Sequence, residues 1–358
     1  MKTKSKTNPL SITGIAKDLG LSPSTVSRVL AGKAKSFHIS EATSKKVLEL
    51  ARRRKFTPNA IARGLRLLKT STIGVLIPDI SNSFYAQLVR TVTEGLRRHG
   101  YSIILCDSQD DPALEAQLLE LLTGRQVDGL IIAPVGQSSA HLAHFCGGAK
   151  PVVMVDRFFK NLKVPYVSSD NYSGARQAME FFLENGHTRI ACLKGLNGTA
   201  SSDQRLRGYR QTLIDYGLKV DESLICGNAF DEQNGYTAMK QLLNRHRRNF
   251  TAVFAMNNLI ASGALIALKE HAVKVPRDVS LIAFDEQPYF LHYNPPLTTI
   301  AQPLKELGKA IVELLLEQIK SPQARRPRGV LLPTSLVIRE SVARIGPPIA
   351  RKAARPTH

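Results

Sequence analysis

Between Leu19 and Ser40 the chain reads LGLSPSTVSRVLAGKAKSFHIS, a stretch dense in groups that can meet a polyanion. Ser22 followed by Pro23 suits a helix start. Serine caps free backbone N–H groups, and proline at the first helical position forfeits no hydrogen bond. The first turn then exposes Ser22, Pro23, Ser24 and Thr25, and the next turn Ser27 and Arg28. Small hydroxyls can cap the backbone or donate to phosphate. The Arg28 guanidinium can fork onto O6 and N7 of a guanine, a contact worth about 1–3 kcal/mol of base discrimination. Lys2, Lys4 and Lys6 before the stretch, and Lys33 and Lys35 behind the helix, would reach phosphates without reading sequence. An ordinary capped helical hairpin explains the cap and the turn, but not a hydroxyl-rich face joined to so much positive charge.

That charge is local. The chain has 358 residues and a formal net charge of +20. Residues 1–70 hold 16 Lys and Arg against 3 Asp and Glu, residues 320–358 hold 9 against 1, and the stretch between is close to neutral. A basic head on a neutral body suggests a polyanionic partner for the head. Cys106, Cys146, Cys192 and Cys226 are scattered, with no C-x-x-C, and read as small apolar residues in a reducing cytoplasm. No apolar run is long enough for a membrane span, and no secretory signal opens the chain. No Walker loop, G-x-G-x-x-G, G-x-S-x-G or metal-spaced His/Cys set is present, so no cofactor and no metal are expected. Gly195-x-x-Gly198 after an apolar run is too weak a phosphate signal alone.

Elements must position these groups. Residues 1–10 are a polar, basic arm. From 12 to 56 the pattern predicts three short helices: Ile15, Ala16 and Leu19 on one face of the first, Gly20 at its end, Val26, Val29 and Leu30 inside the second, and a third from Ser40 burying Val47, Leu50 and Ala51. Two short helices joined by a glycine turn make a helix-turn-helix, whose second helix can lie in a DNA major groove. So few large apolar side chains make a marginal core. After Thr70 the pattern alternates between apolar strands (STIGVLIPDI, YSIILCDS, VDGLIIAP, PVVMVDR, RIACLKG, TAVFAMNN, VSLIAFDE) and amphipathic helices. This rhythm predicts an α/β body of two doubly wound parallel-sheet lobes behind an all-α headpiece.

ITGIAKDLGLSPSTVSRVLAGK, PNAIARGL and GVLIPDISNSFY resemble the LacI/GalR family of bacterial transcription regulators. VDGLIIAP, ENGHTRIACLKG, QRLRGYRQTL, MNNLIASGALIAL, SLIAFDE and PPLTTIAQP continue the resemblance in the family's order, over about residues 11–345. It implies a helix-turn-helix headpiece (1–56), a hinge helix and linker (57–70), and a periplasmic-binding-protein-like body. The first lobe would comprise 71–167 with 299–325 and the second 168–298 with 326–345. Residues 346–358 remain as a basic tail. It further implies a homodimer on a pseudo-palindromic operator, in the cytoplasm, with an effector between the lobes. By match, Pro23, Ser24 and Arg28 read bases; Ser22, Thr25, Ser27 and Asn59 support or contact phosphate; Ala62 and Leu65 face the minor groove, Leu65 as the wedge that opens a base step. The effector residues implied are Asp79, Ser83, Phe84, Asp156, Arg157, Thr199, Ser201, Arg205, Phe230, Asn257 and Asp285, which fall at strand ends and first helical turns, where open α/β sheets bind ligands. Their chemistry suits a sugar or sugar acid: carboxylates and amides for hydroxyl pairs, arginine for hydroxyl or carboxylate, aromatic rings for an apolar sugar face.

Each of these residues also has a plain structural role open to it. Asp79 could cap a helix, Phe84 and Phe230 could be core, and Asp156 and Arg157 a local ion pair. The chain departs from the family pattern in four places. Gly14 replaces an acid and loses a capping box. The loop AKSFHI is longer than usual, so that Phe37 on the headpiece and His38 on phosphate stand beside a simple surface insertion. Gly64 loosens the hinge helix. Asn257-Asn258 replaces Asn-Asp, which tilts the expectation toward an anionic effector. A transporter's solute-binding protein, a sugar-active α/β enzyme and a sequence-indifferent architectural protein are the alternatives. Both the basic head and the missing signal count against the first.

Overall fold

The computed structural model describes residues 11–56, 69–246, 249–321 and 327–351, and the chain divides into two compact units, Met1–Thr70 and Ser71–His358. The expected arm, Asn59, Ala62, Leu65 and the end of the tail lie outside the described residues.

The first unit holds α1 (Ile12–Leu19), α2 (Pro23–Leu30) and α3 (Glu41–Arg53). Ser11 Oγ accepts from the Gly14 N–H at 3.1 Å, so the serine cap persists without the acid that would complete a capping box. Gly20 closes α1 at φ 62°, in the left-handed region. Ile15, Ala16, Val26, Val29, Val47 and Ala51 are buried together, with Leu19, Leu30 and Leu50 partly buried around them.

In the second unit the first sheet has the order β11-β5-β4-β3-β1-β2, with every neighbouring pair parallel. Its strands are β1 (Thr72–Ile77), β2 (Ser102–Asp107), β3 (Gly129–Ile132), β4 (Val152–Val155), β5 (Tyr166–Ser169) and β11 (Gly329–Leu332). Alternate residues feed two separate cores: Ile73, Val75, Ile131 and Val153 enter one, and Leu76, Leu130, Ile132 and Met154 the other. Both faces are therefore covered, as parallel strands require. α4 (Ser83–Arg98) and α11 (Leu304–Lys320) line the first core, and α5 (Pro112–Gly124) with α6 (Ala143–Cys146) the second.

The second sheet runs β12-β10-β9-β8-β6-β7, built from β6 (Ile190–Leu193), β7 (Ile225–Cys226), β8 (Ala252–Ala255), β9 (Ser280–Phe284), β10 (Thr298–Ala301) and β12 (Ser335–Val337). β12 alone pairs antiparallel, against β10. Around it lie α7 (Asn171–Glu184), α8 (Ala200–Asp215), α9 (Glu232–His246) and α10 (Asn258–Glu270). A Cβ on Gly263 would lie 1.9 Å from the Glu232 carbonyl oxygen, and one on Gly235 2.1 Å from that of Ile260, so α9 and α10 meet backbone to backbone.

The lobe boundaries differ from those expected. β10, placed with the first lobe, extends the second sheet beside β9, and β11, placed with the second, pairs with β5. The chain crosses between lobes at Asp170, at Gln302–Pro303 and at Pro333–Thr334. Strands of three or four residues carry too little periodicity to reveal which sheet they join. Among the described residues no helix is long and apolar enough to cross a membrane. Nor does any group of three or more His, Cys, Asp or Glu there suit a metal ion. All four cysteines are free, and three are buried.

Candidate functional site

Two groups of residues carry the chemistry, one in each unit. In the first unit Ser22 Oγ accepts from the Thr25 N–H at 3.1 Å and exchanges hydrogen bonds of 2.8 Å with the Ser24 and Thr25 hydroxyls. The cap thus organises the hydroxyl face of α2. Ser22, Pro23, Ser24 and Arg28 are exposed, and Thr25 and Ser27 half-buried. The long loop is ordered: Lys35–Phe37 forms a 3-10 turn closed by N–H bonds from Phe37 and Ile39 to the Ala34 carbonyl. Ala34 and Ile39 pack against the core of the unit, so the segment is pinned rather than a simple surface insertion.

In the second unit the strand ends of both lobes face a cleft enclosing about 480 Å³ of atom-free space, part of it open to solvent. Nine of the residues expected there line it: Asp79, Phe84, Asp156, Arg157, Ser201, Arg205, Phe230, Asn257 and Asp285. Asp156 follows β4 at φ 61° and Asp285 follows β9 at φ 76°. Both aspartates hold a left-handed backbone that costs on the order of 1–3 kcal/mol, a strain that gathers at functional sites. Tyr85 donates from its hydroxyl to Asp156 at 2.8 Å, and burial raises that phenol well above its ordinary value.

The two arginines are already engaged. Arg157 reaches Asp110 at 2.7 Å and lies 4.2 Å from the Phe230 ring centroid across the cleft. Burial opposes its charge, but Tyr85, Asp110 and Asp156 outweigh burial and raise its pKa. Its Nε has no hydrogen-bond partner. Arg205 donates to Asn171 at 2.7 Å and to the Met256 carbonyl, faces Asp285 at 3.9 Å and lies over the Phe284 ring. Burial raises the Asp285 carboxyl, while Arg205 and the 2.6 Å bond from Gln302 pull it back.

Some expected contacts are corrected. Ser83 and Thr199 do not line the cleft. The Thr199 hydroxyl turns back to the Leu196 carbonyl at 2.7 Å, and the cap of α4 is Asn82, which leaves Ser83 on its first turn. Asp79 caps no helix; it accepts from the backbone and hydroxyl of Ser81 two residues on. Asn257 caps α10 and donates to the Phe230 carbonyl, so much of its amide is committed. The weak glycine signal has a packing reason: a Cβ on Gly195 would lie 2.3 Å from the Phe230 ring, which rests on that backbone.

Sequence reasoning missed Asn82, Tyr85, Asp110, Asp231, Leu259 and Gln302, which complete the lining. Gln302 stood inside the quoted PPLTTIAQP. It sits at a crossing between lobes, accepts from Ser169 at 2.5 Å and donates to Asp285. The lobes also meet through Asn258 to Asn82 at 3.1 Å, Gln87 to Gln287 at 3.0 Å and Gln137 to the Asn197 carbonyl at 2.7 Å.

Comparison with known proteins covers both units. Residues 11–59 match the family described as bacterial regulatory proteins, lacI family, and residues 70–340 the periplasmic binding proteins and sugar binding domain of LacI family. The HTH-type transcriptional regulator DegA of Bacillus subtilis (strain 168) is 33% identical over 334 residues, 92% of this chain and 97% of that protein. A transcriptional regulator CelR–cellobiose complex superposes with a TM-score of 0.70 at 29% identity, over 92% of this chain and 99% of that one. The lac repressor dimer bound to operator and the anti-inducer ONPF gives 0.82 at 25% identity, over 94% and 100%.

Proposed function

Because the chain belongs to the lacI family of bacterial regulatory proteins, we propose that it is a repressor whose hold on a pseudo-palindromic operator is set by a small uncharged polyol bound between its lobes. It is a ligand-controlled, DNA-binding transcriptional regulator. The relatives it matches are regulators, and no turnover is proposed for the cleft.

The ligand's chemistry rests on one observation: each cleft arginine is already opposed by a carboxylate. Asp79, Asp110, Asp156, Asp231 and Asp285 line the cleft against Arg157 and Arg205 alone. An incoming carboxylate or phosphate would have to displace Asp110 or Asp285 and enter an excess of negative charge. Hydroxyls face no such penalty. They can donate to the carboxylates of Asp156 and Asp285. Of the two ligand classes expected, the neutral sugar is the one this charge balance supports; Phe84 and Phe230 offer it apolar faces.

The head reads DNA with Pro23, Ser24 and Arg28, held by Ser22, Thr25 and Ser27, and two heads of a homodimer engage two half-sites. Asn59 contacts phosphate, while Ala62 and Leu65 enter the minor groove. The ligand changes operator affinity only by its difference in affinity between the two lobe arrangements. Calorimetric titration of the full chain with neutral mono- and disaccharides and with their uronic acids tests the ligand class, followed by gel shift on a duplex selected by the protein. Binding of an acid without its neutral parent sugar would refute it.

A further inference from the structure

We propose that Phe37 is a positioning residue for sequence reading: its ring holds the Arg28 guanidinium flat and leaves the nitrogen fork free for a base edge. The inference rests on the reading of Arg28 as a base-contacting residue and adds a residue to that machinery.

The guanidinium carbon of Arg28 lies 4.1 Å from the centroid of the Phe37 ring. Phe37 is 45% exposed, so it serves little as core. It is held in place all the same, because the 3-10 turn that carries it closes on Ala34, and Ala34 and Ile39 pack against the unit's core. A phenylalanine left half in water on an anchored turn calls for a purpose other than burial, and its face is occupied by the one residue of α2 able to fork onto a base.

The geometry of the pair supplies that purpose. A guanidinium is planar, and its five N–H donors lie in its plane. A carboxylate partner would consume those donors. An aromatic face attracts the cation through its quadrupole and is not a hydrogen-bond acceptor of the carboxylate kind, so the in-plane donors stay available to a base. The stack therefore restricts a long, rotamer-rich side chain while leaving its whole hydrogen-bonding edge available. Arginine orientation is what separates bidentate recognition of guanine from loose attraction to any phosphate. Free of the ring, Arg28 would spend its charge on whichever phosphate lay nearest, which adds affinity without selectivity. The inserted turn between Lys33 and Ser40 thus reads as part of the DNA-reading apparatus.

The test uses the full chain, a palindromic duplex selected by it from a random library, and a scrambled duplex of equal length and composition. The readout is the ratio of the two dissociation constants, with the salt dependence of each. Removing an exposed cation–π contact together with side-chain preorganisation should lower selectivity about threefold to tenfold per half-site. Phe37→Ala and Phe37→Leu should show that loss, leave binding to the scrambled duplex undiminished, and steepen the salt slope by up to about one phosphate contact. Phe37→Tyr keeps the ring face and should retain selectivity. In the Arg28→Ala background Phe37→Ala should have no further effect, which a structural role would not produce. Equal weakening on both duplexes, or undiminished selectivity in Phe37→Ala while Arg28→Ala loses it, overturns the role of Phe37. Undiminished selectivity in Arg28→Ala overturns the reading beneath it as well, and the two failures are told apart by that variant alone.

Discussion

Arg205→Ala should damage the second unit more than any ordinary loss of a ligand contact. Arg205 is 3% exposed and is held on four sides, by Asn171, the Met256 carbonyl, Asp285 and the Phe284 ring. Truncation leaves Asp285, itself 5% exposed, as a buried carboxylate without its cation. Breaking a buried pair in this way costs about 3–5 kcal/mol. At about 2–3 °C per kcal/mol for a unit of this size, the midpoint of its thermal unfolding should fall by roughly 6–15 °C. The pH dependence has a defined sign. Burial raises the Asp285 carboxyl above its ordinary 3.8, and Arg205 is the main influence lowering it. Without Arg205 the folded-state value rises further. A raised carboxyl contributes stability that is present below the unfolded value and is lost as the pH climbs through the folded one. The deficit of the variant should therefore be largest at neutral pH and shrink on acidification. Circular dichroism melts of the full chain, wild type and variant, from neutral to mildly acidic pH, measure both. A drop under about 3 °C, or one equal at every pH, would show that Arg205 does not compensate Asp285.

Ser22→Ala removes the cap of α2 and should destabilise the first unit by about 1 kcal/mol, a large share of so small a core, visible in denaturant unfolding followed by amide exchange of residues 12–53. Gly263→Ala forces a methyl group against the Glu232 carbonyl and should cost about 1–3 kcal/mol or more, lowering the melting temperature of the second unit while its α9–α10 contact widens. His187 is buried between Thr251 and the Ala343 carbonyl, and burial lowers its pKa from 6.5. Its stabilising contribution is full above that value and declines as the pH falls from there through the folded one, so stability of the wild type should drop on mild acidification and that of His187→Gln should drop less. Arg157→Ala should lower the melting temperature less than Arg205→Ala in the same melts, since its hydrogen-bonded partner Asp110 is half exposed and can be rehydrated, and the buried Asp156, 4.0 Å from Arg157 Nε, keeps the hydrogen bond from Tyr85.

What the amino-acid order determined by itself was local. Ser22-Pro23 and Gly20 define where α2 begins and α1 ends through backbone hydrogen bonding and one left-handed turn, and neither needs a distant partner. The apolar runs before Asp79, Asp156, Asn257 and Asp285 are strands buried on both faces, and the resemblance to the family named nine residues of the cleft near their ends. Tertiary structure decided everything that depends on a partner far along the chain. The lobes to which β10 and β11 belong follow from pairing with β9 and β5, and segments of four residues carry no record of that choice. Gln302 enters the cleft because the chain crosses between lobes beside Ser169 and Asp285. Asn258 in place of the family's aspartate, with Arg157 and Arg205, suggested an anion; the fold sets Asp110 on Arg157 and Asp285 opposite Arg205. Charge in a cleft is a sum over neighbours in space, and spacing along a chain does not contain it.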